Sequence, residues 1–301
     1  MTKIVLTDGG MGQELVRRSK TPPTRLWSAR VLMDEPEIVE ALHAEFIEAG
    51  ARVITLNTYS ATPERLEREG AADMFVPLQQ RGIALAKAAR DKAGDCAIAG
   101  CLSPLFGSYA PALTIGYDEA VETYRRIVEQ QAGAVDLFLC ETMASADEAK
   151  AAATAACESG KPVWVSWTLA DDGAPRLRSG ETLAEAAKAL EGLDIAALLV
   201  NCSRPEAVEA ALPDLRKLGG RFGAYANGFT AVEALKHGGT VEVLEARKDL
   251  GPDAYAERAA GWASAGASIV GGCCEVGPAH IAALRDRLQS EGFQLVGAFD
   301  A

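Results

Sequence analysis

The sequence has little of several features that mark large classes of protein. Aromatic residues make up only 6% of the chain, and Lys and Arg form no basic stripe. No apolar run approaches the roughly 20 residues that a membrane-spanning helix needs. The formal net charge is −12, and a surface of this sign repels phosphate backbones and anionic lipids. We therefore expect no nucleic-acid partner and no membrane association.

The marks of a secreted or hydrolytic protein are also missing. The first residues, MTKIVLTDGG, contain no long apolar stretch and no small-residue cleavage site, so we expect a cytoplasmic protein. The seven cysteines are odd in number and should stay reduced in the cytosol, where a cluster of them could hold a metal. No Ser-His-Asp order indicates hydrolysis, and we expect structural or exposed positions for His43, His237 and His280.

A repeating pattern of apolar runs is the main structural signal. Each run ends in polar or Gly residues and is followed by an Ala-rich amphipathic stretch. The runs lie at 4–10, 52–59, 96–103, 135–142, 162–169, 195–203, 221–228 and 268–274. Candidate helices lie near 37–49, 72–93, 118–132, 145–158, 182–190, 205–218, 253–264 and 278–290. Near-continuous apolar strands that alternate with helices indicate a parallel sheet covered by helices.

Eight such units predict an α/β protein with one (β/α)8 TIM-barrel domain over residues 1–301. The alternative is an open doubly wound sheet, because Gly10 and Gly12 begin a dinucleotide-binding fingerprint. Its third glycine position is Leu15, however, so the repeat count favours the barrel. The segments 17–36 and 229–252 look like long irregular loops, which could cover the mouth of a barrel.

The carboxyl ends of the predicted strands carry polar residues, although the strands themselves are apolar. In a barrel these ends form the active-site face. The residues are Asp8 with Gly9, Asn57, Ser103, Glu141, Thr168, Asn201 with Cys202, Asn227, and Cys273 with Cys274. Burying such groups is costly unless they bond to one another, to a ligand or to a metal.

Three cysteines among these residues give the most specific hypothesis. Cys202 ends the sixth strand, and the pair Cys273–Cys274 ends the eighth, so loops could bring three sulfurs together. Thiolates suit Zn²⁺, and three protein ligands with a weaker fourth group are typical of a catalytic site with an open position. The alternative is that these are ordinary buried cysteines. We prefer that interpretation for the others, Cys96, Cys101, Cys140 and Cys157.

The motifs resemble those of the homocysteine S-methyltransferase family, whose homocysteine-binding domain is shared with betaine- and cobalamin-dependent methyltransferases. The matching segments are TDGGMGQEL, LNTYSATPERL, LCETMASADEAKAA, SGETL, VNCSRPE, YANG and WASAGASIVGGCCEVGPAHI. The last segment, together with Asn-Cys-Ser at 201–203, is the most specific. The resemblance covers nearly the whole chain.

The resemblance implies a barrel in which Cys202, Cys273 and Cys274 hold Zn²⁺ and act in catalysis. The family pattern also offers a displaceable oxygen ligand, which falls on Asn227. The sulfur of the thiol substrate would complete the metal's coordination. The acidic positions of the family that hold the amino group of homocysteine fall on Asp8 and Glu141. Backbone amides near Gly9 and Gly10 would assist. The other candidate substrate-binding residues are Asn57 and Asn201.

The chemistry expected from these residues is methylation of a thiol. Zinc coordination removes a thiol proton, and the sulfur then attacks the methyl carbon of an onium donor in an in-line displacement. Homocysteine would give methionine. Trp27, Tyr59 and Trp167 are candidate cation–π contacts for the donor, although each could simply be a packing residue.

The donor is the least determined part of this prediction. The sequence departs from commoner family members at GCLSPLFGSYAP, at Trp167 with the following ADDG, and at YANGFTA, all near the barrel mouth. We also expect neither a long C-terminal arm like that of the betaine-dependent branch nor an attached cobalamin or folate module. We therefore expect S-methylmethionine or S-adenosylmethionine.

Several alternatives stay open. Betaine or another onium could be the donor, and selenocysteine could be the acceptor. The chain could also work with a separate cobalamin protein, or be a non-catalytic zinc or redox-sensing protein. We expect a monomer or a small homo-oligomer.

Overall fold

Strands and helices alternate along the computed structural model, which describes residues 1–94, 96–111, 115–232, 234–235 and 243–300. His237 and part of the predicted loop 229–252 lie outside these residues. Within them, the strands are β1 (Thr2–Leu6), β2 (Val53–Thr55), β3 (Ala97–Leu102), β4 (Leu137–Met143), β5 (Val163–Trp167), β6 (Ile195–Asn201), β7 (Phe222–Tyr225), β8 (Ile269–Val270) and β9 (Phe293–Leu295).

Eleven α-helices are formed by the described residues. They are α1 (Met11–Arg18), α2 (Ser28–Asp34), α3 (Pro36–Glu48), α4 (Pro63–Arg68), α5 (Phe75–Ala93), α6 (Tyr117–Gln131), α7 (Ala146–Cys157), α8 (Leu183–Ala189), α9 (Pro205–Leu218), α10 (Pro252–Ser264) and α11 (Pro278–Ser290). In this part of the chain, no helix combines the length and apolarity needed to cross a membrane.

The strands form one parallel sheet in the order β2-β3-β4-β5-β6-β7-β8-β1-β9. Backbone bonds between the ends of this order close the sheet on itself. The Arg52 N–H donates to the Leu6 carbonyl at 2.7 Å, and the Asp8 N–H donates to the Val53 carbonyl at 2.9 Å. Thr7 and Val53 form a parallel bridge at the same place. The predicted (β/α)8 barrel is therefore confirmed.

Strand β9 was not predicted. It pairs with Thr2–Ile4, the first residues of β1. The contacts between β1 and β2 begin after these residues, at Leu6. It has only three residues, FQL, with a polar residue in the middle, so neither length nor apolar character marks it in the sequence.

Side-chain alternation along the strands separates two apolar cores. In β4, Leu137 and Leu139 belong to the cluster inside the barrel, whereas Phe138 and Cys140 pack in the layer between the sheet and the helices. Glu141 continues the inward series at the carboxyl end of the strand. The fold thus places a carboxylate at the mouth of the barrel directly above an apolar floor.

The predicted segment 17–36 is a loop only in part. It contains the end of α1 and all of α2, so its description as irregular is wrong. Each of these helices has only seven or eight residues, which is too short for a helical periodicity to stand out. The longer predicted helices are all present. At the start of α7, the Ser145 side chain accepts the Glu148 N–H and caps the helix.

Candidate active site

A cavity of about 140 Å³ opens at the carboxyl ends of the barrel strands. It brings together residues that are distant in the sequence, because parallel strands present their carboxyl ends at one face. Most of the predicted site residues line it. They are Asp8, Gly9, Gly10, Asn57, Glu141, Cys202, Cys273 and Cys274.

Three sulfur atoms cluster in the wall of this cavity. The Cys202 Sγ lies 2.7 Å from the Cys273 Sγ and 3.9 Å from the Cys274 Sγ. Among the His, Cys, Asp and Glu side chains of the described chain, these three converge closely enough to share a metal ion. Backbone bonds fix the two segments against β7. The Cys202 N–H donates to the Tyr225 carbonyl at 3.1 Å, and the Cys273 N–H donates to the Ala226 carbonyl at 2.9 Å.

The three thiols do not ionise alike. Burial opposes ionisation of Cys202, but hydrogen bonds from Cys273, Cys274 and Tyr109 hold its pKa well below the usual range. The hydrogen bond that the Cys273 thiol donates to Cys202 in turn raises the pKa of Cys273, and the charge of Cys202 adds to this. The cluster therefore favours one thiolate, and full ionisation requires a cation at its centre.

Strained backbone surrounds the sulfurs. Among the described residues other than glycine, those with a left-handed φ are Trp27, Tyr109, Thr142, Cys202 and Glu275. The first four line the cavity, and Glu275 follows Cys274. Such a conformation costs about 1–3 kcal/mol for each residue and persists only where the surrounding structure enforces it. At Cys202, where φ is +46°, it turns the chain sharply at the end of β6.

Glycines allow the cysteine segment to approach α1 closely. A Cβ atom on Gly10 would lie 2.4 Å from the Cys273 carbonyl oxygen, and one on Gly9 would lie 2.1 Å from the Val276 carbonyl oxygen. The Gly10 N–H donates to that same Val276 carbonyl at 2.8 Å, so it is not free for a ligand. The two glycines serve close backbone packing in addition to lining the cavity.

Asp8 and Glu141 are carboxyl groups in the wall of the same cavity, where Asp8 is buried and Glu141 is partly buried. The Asp8 Oδ2 accepts the Thr55 N–H at 2.8 Å, and the Glu141 Oε1 accepts the Cys101 thiol at 3.1 Å. Burial raises the pKa of Asp8 to about 8, and the charge of Glu141 adds to this. Burial also raises the pKa of Glu141 to about 7. Neither forms an ion pair with a described Lys, Arg or His side chain, so the site is suited to a cationic ligand.

The three asparagines of the prediction have different surroundings. Asn57 lines the cavity. The Asn201 Oδ1 accepts the Thr142 N–H at 2.9 Å and the Ser166 hydroxyl at 2.8 Å. Its Nδ2 donates to the Thr142 Oγ1 at 2.9 Å, so every polar atom of this side chain is used in joining β4, β5 and β6. Asn201 lies outside the cavity lining, and its contacts are those of a residue that positions its neighbours.

Asn227 is buried beside the cysteine segment, but its side-chain oxygen is engaged locally. The Oδ1 accepts the Phe229 N–H at 3.1 Å, whereas the Nδ2 is buried and no described residue offers it a hydrogen-bond acceptor. Asn227 is not part of the cavity lining. For it to act as an oxygen ligand, its bond to Phe229 would have to be shared or broken.

Aromatic residues form another part of the cavity wall. The rings of Trp27 and Tyr59 meet edge to face at 5.9 Å, and the Tyr59 hydroxyl bonds to the Ser108 Oγ at 2.7 Å. The Tyr109 hydroxyl lies 3.0 Å from the Cys202 Sγ. Trp167, the third aromatic candidate, is fully buried away from the cavity and packs in the outer core.

Sequence reasoning missed Tyr109, Cys101 and Arg65 as residues of this site. Tyr109 lies in the segment GCLSPLFGSYAP, whose departure from commoner relatives was the one available signal. Cys101 follows the inward alternation of β3, which also places Ala99 in the inner core. Arg65 lies on the short helix α4, where a charged residue is usually exposed.

Comparisons with known proteins agree with this geometry. The family model for homocysteine S-methyltransferase matches residues 5–288. The homocysteine S-methyltransferase of Escherichia coli strain K12 is 30% identical, covering 94% of this chain and 95% of the relative. The selenocysteine methyltransferase of Astragalus bisulcatus is 27% identical, covering 94% and 91% of the two chains.

A solved structure also matches nearly the whole chain. The metallated form of the homocysteine methyltransferase MmuM from Escherichia coli superposes with a TM-score of 0.78 at 29% identity. The match covers 95% of this chain and 96% of that chain.

Proposed function

Because the chain belongs to the homocysteine S-methyltransferase family, we propose that it uses Zn²⁺ to transfer a methyl group from a sulfonium donor to homocysteine, giving methionine. The donor we propose is S-methylmethionine or S-adenosylmethionine. One observation carries the proposal: the same cavity is lined by three sulfur atoms and by two carboxyl groups that form no ion pair with any described residue.

The donor set fits zinc. Zn–S bonds of about 2.3 Å in a tetrahedral site set the sulfur atoms about 3.8 Å apart. The 3.9 Å between the Cys202 and Cys274 sulfurs is close to this value. The 2.7 Å between Cys202 and Cys273 is shorter, so the Cys273 side chain would have to move outward by roughly 1 Å. Three cysteines would hold the ion, and Asn227 remains our candidate for a displaceable oxygen ligand.

Bound zinc would lower the pKa of a thiol that approaches it, which makes the sulfur of the acceptor nucleophilic at neutral pH. Asp8 and Glu141 would bind the ammonium group of homocysteine, since a cation there allows both carboxyl groups to ionise. These contacts would hold homocysteine by its ammonium end, so that the sulfur at the other end is directed towards the cysteine cluster.

The methyl transfer itself is a single displacement. The acceptor sulfur, having lost its proton to solvent, shares an electron pair with the methyl carbon. The bond from that carbon to the donor sulfur breaks, and its electrons stay on the donor, which leaves as a neutral thioether. Trp27 and Tyr59 would face the positive charge of the donor, a contact worth about 0.5–2 kcal/mol.

The test combines metal content with turnover. Purified wild-type protein, Cys273→Ser and the control Cys157→Ser are analysed for zinc and for methionine formed from homocysteine and each sulfonium donor. Cys157 is half-buried on α7, away from the sulfur cluster. We expect Cys273→Ser to lose most zinc and activity while it keeps its helical circular dichroism, and Cys157→Ser to keep all three.

Stoichiometric zinc and normal turnover in Cys273→Ser would overturn the metal assignment. Parallel reactions with betaine and with selenocysteine determine whether another donor or a selenol acceptor is preferred. If metal-loaded wild-type protein forms no methylated product in any of these reactions, the chain does not act alone on these substrates, and the proposal fails.

A further inference from the structure

Arg65 is a buried guanidinium in the wall of the active-site cavity. The residue is only 8% exposed. Its Nη2 donates to the Pro104 carbonyl at 2.7 Å, whereas its Nε is buried and has no hydrogen-bond partner among the described residues. No ion pair between described residues includes it. Because a buried charge is costly without a counter-charge, this position is suited to an anion supplied from outside the chain.

The groups around Arg65 do not provide that anion. The Tyr59 ring lies 5.2 Å from the guanidinium carbon, and Arg68 nearby carries a like charge. The carboxyl group of Glu148 acts on Arg65 only from beyond ion-pair distance, and it accepts the Ala144 N–H at 2.8 Å. Burial raises the pKa of Glu148 to about 7, so at neutral pH this group is only partly ionised.

A series of contacts relates Arg65 to the reacting sulfurs. Tyr109 touches Cys202, the neighbouring Ser108 bonds to the Tyr59 hydroxyl, and the ring of Tyr59 faces Arg65. Arg65 therefore lies on the aromatic side of the cavity, where the onium group of the donor is proposed to bind. The acidic residues that would hold homocysteine extend from β1 and β4 instead.

We infer that Arg65 determines donor specificity by binding a carboxylate of the methyl donor. The site would then favour donors that carry an onium group and a carboxylate in one molecule. The inference rests on the proposed function, because it assigns the aromatic side of the cavity to the donor. Arg65 is a binding residue in this assignment and takes no part in the displacement.

The experiment compares two donors that differ in the carboxylate. Wild-type enzyme, Arg65→Gln and Arg65→Lys are assayed with S-methylmethionine, which has a carboxylate, and with trimethylsulfonium, which has none. Arg68→Gln is the matched comparison, because Arg68 also lines the cavity but is already paired with Glu69, and it supports the same loop through the Phe106 carbonyl at 3.0 Å. Binding of S-methylmethionine is also measured by calorimetry, which requires no turnover.

We expect Arg65→Gln to lower kcat/KM and affinity for S-methylmethionine by about 10- to 100-fold, the value of a charge-assisted hydrogen bond. Turnover of trimethylsulfonium and the KM for homocysteine should change by less than about threefold. Arg65→Lys, which keeps the charge, should recover part of the loss, and Arg68→Gln should show little discrimination between the donors.

Equal losses with both donors would show that Arg65 only supports the loop, and would overturn the inference. A rise in the KM for homocysteine alone would assign the bound carboxylate to the acceptor and overturn it as well. If the wild-type enzyme transfers no methyl group but binds S-methylmethionine in an Arg65-dependent manner, the proposed function fails while the anion site stands.

Discussion

Replacing Asp8 with Asn should stabilise the substrate-free protein at neutral pH. Burial holds the Asp8 carboxyl group neutral, with a pKa raised from 3.8 to about 8. In the unfolded chain the same group is ionised at pH 7. Folding at this pH must therefore take up a proton, which costs about 4 kcal/mol when each pKa unit is worth about 1.4 kcal/mol.

The sign of the pH dependence follows from this difference. A raised pKa of an acid means that the native state binds more protons than the unfolded state between about pH 4 and pH 8. The contribution of Asp8 to stability therefore falls as the pH rises through this range. Asparagine does not titrate, and its side-chain oxygen can still accept the Thr55 N–H. The gain from Asp8→Asn should be below about 1 kcal/mol at pH 4 and about 4 kcal/mol at pH 7.

The assay is thermal and urea denaturation of the metal-free proteins at several pH values from 4.5 to 8. Homocysteine binding to the metal-loaded variant is measured beside it and should weaken, because the carboxylate that faces the ammonium group is gone. A stability difference that does not vary with pH would refute the reasoning, since it would show that Asp8 is ionised in the folded protein. A loss of stability at every pH would do the same.

Three further predictions concern the cavity and the strand ends that support it. Glu141→Gln should weaken homocysteine binding by about 30- to 100-fold while zinc affinity, measured by chelator competition, stays within a few-fold; equal losses would mean that Glu141 is structural. Asn201→Ala should lower the free energy of unfolding by about 2–3 kcal/mol in urea, since it leaves the Thr142 N–H and the Ser166 hydroxyl without partners, and a neutral effect would contradict its positioning role. Norleucine, which has the ammonium and carboxylate of homocysteine but no thiol, should release about one proton on binding at pH 7, as calorimetry in buffers of different ionisation enthalpy would show; binding without proton release would exclude ionisation of Asp8 and Glu141.

The barrel and the convergence of its polar residues could be predicted from the sequence because both follow from local rules. Apolar runs that alternate with amphipathic helices specify parallel strands, and parallel strands share a carboxyl-end face. That face alone brings Asp8, Glu141, Cys202 and the Cys273–Cys274 pair into one cavity. No pairwise contact had to be known in advance.

The finer assignments depend on tertiary contacts that no local pattern contains. Asn201 stands beside Cys202 in the sequence, yet its amide faces Thr142 and Ser166, which come from other strands. Trp167 and Tyr59 looked equivalent as donor contacts, but one packs in the outer core and the other lines the cavity. Arg65 lies on a six-residue helix whose pattern gives no reason to expect burial.

The site explains why so many unfavourable features are gathered at one end of the barrel. Within the described part of the chain, two carboxyl groups have no cationic partner, the buried guanidinium of Arg65 has no anionic partner, and Cys202 holds a strained backbone conformation. In the proposed complex each substrate supplies what the protein lacks, because the ammonium group of homocysteine meets the acidic wall and the carboxylate of the donor meets Arg65.

Each substrate should therefore raise the free energy of unfolding of the protein by more than the burial of the substrate's apolar surface alone accounts for. Thermal shifts with norleucine and S-methylmethionine should be additive, since the two neutralise different charges. If the two ligands compete instead, their charged ends occupy the same place, and the separation of acceptor and donor walls is wrong.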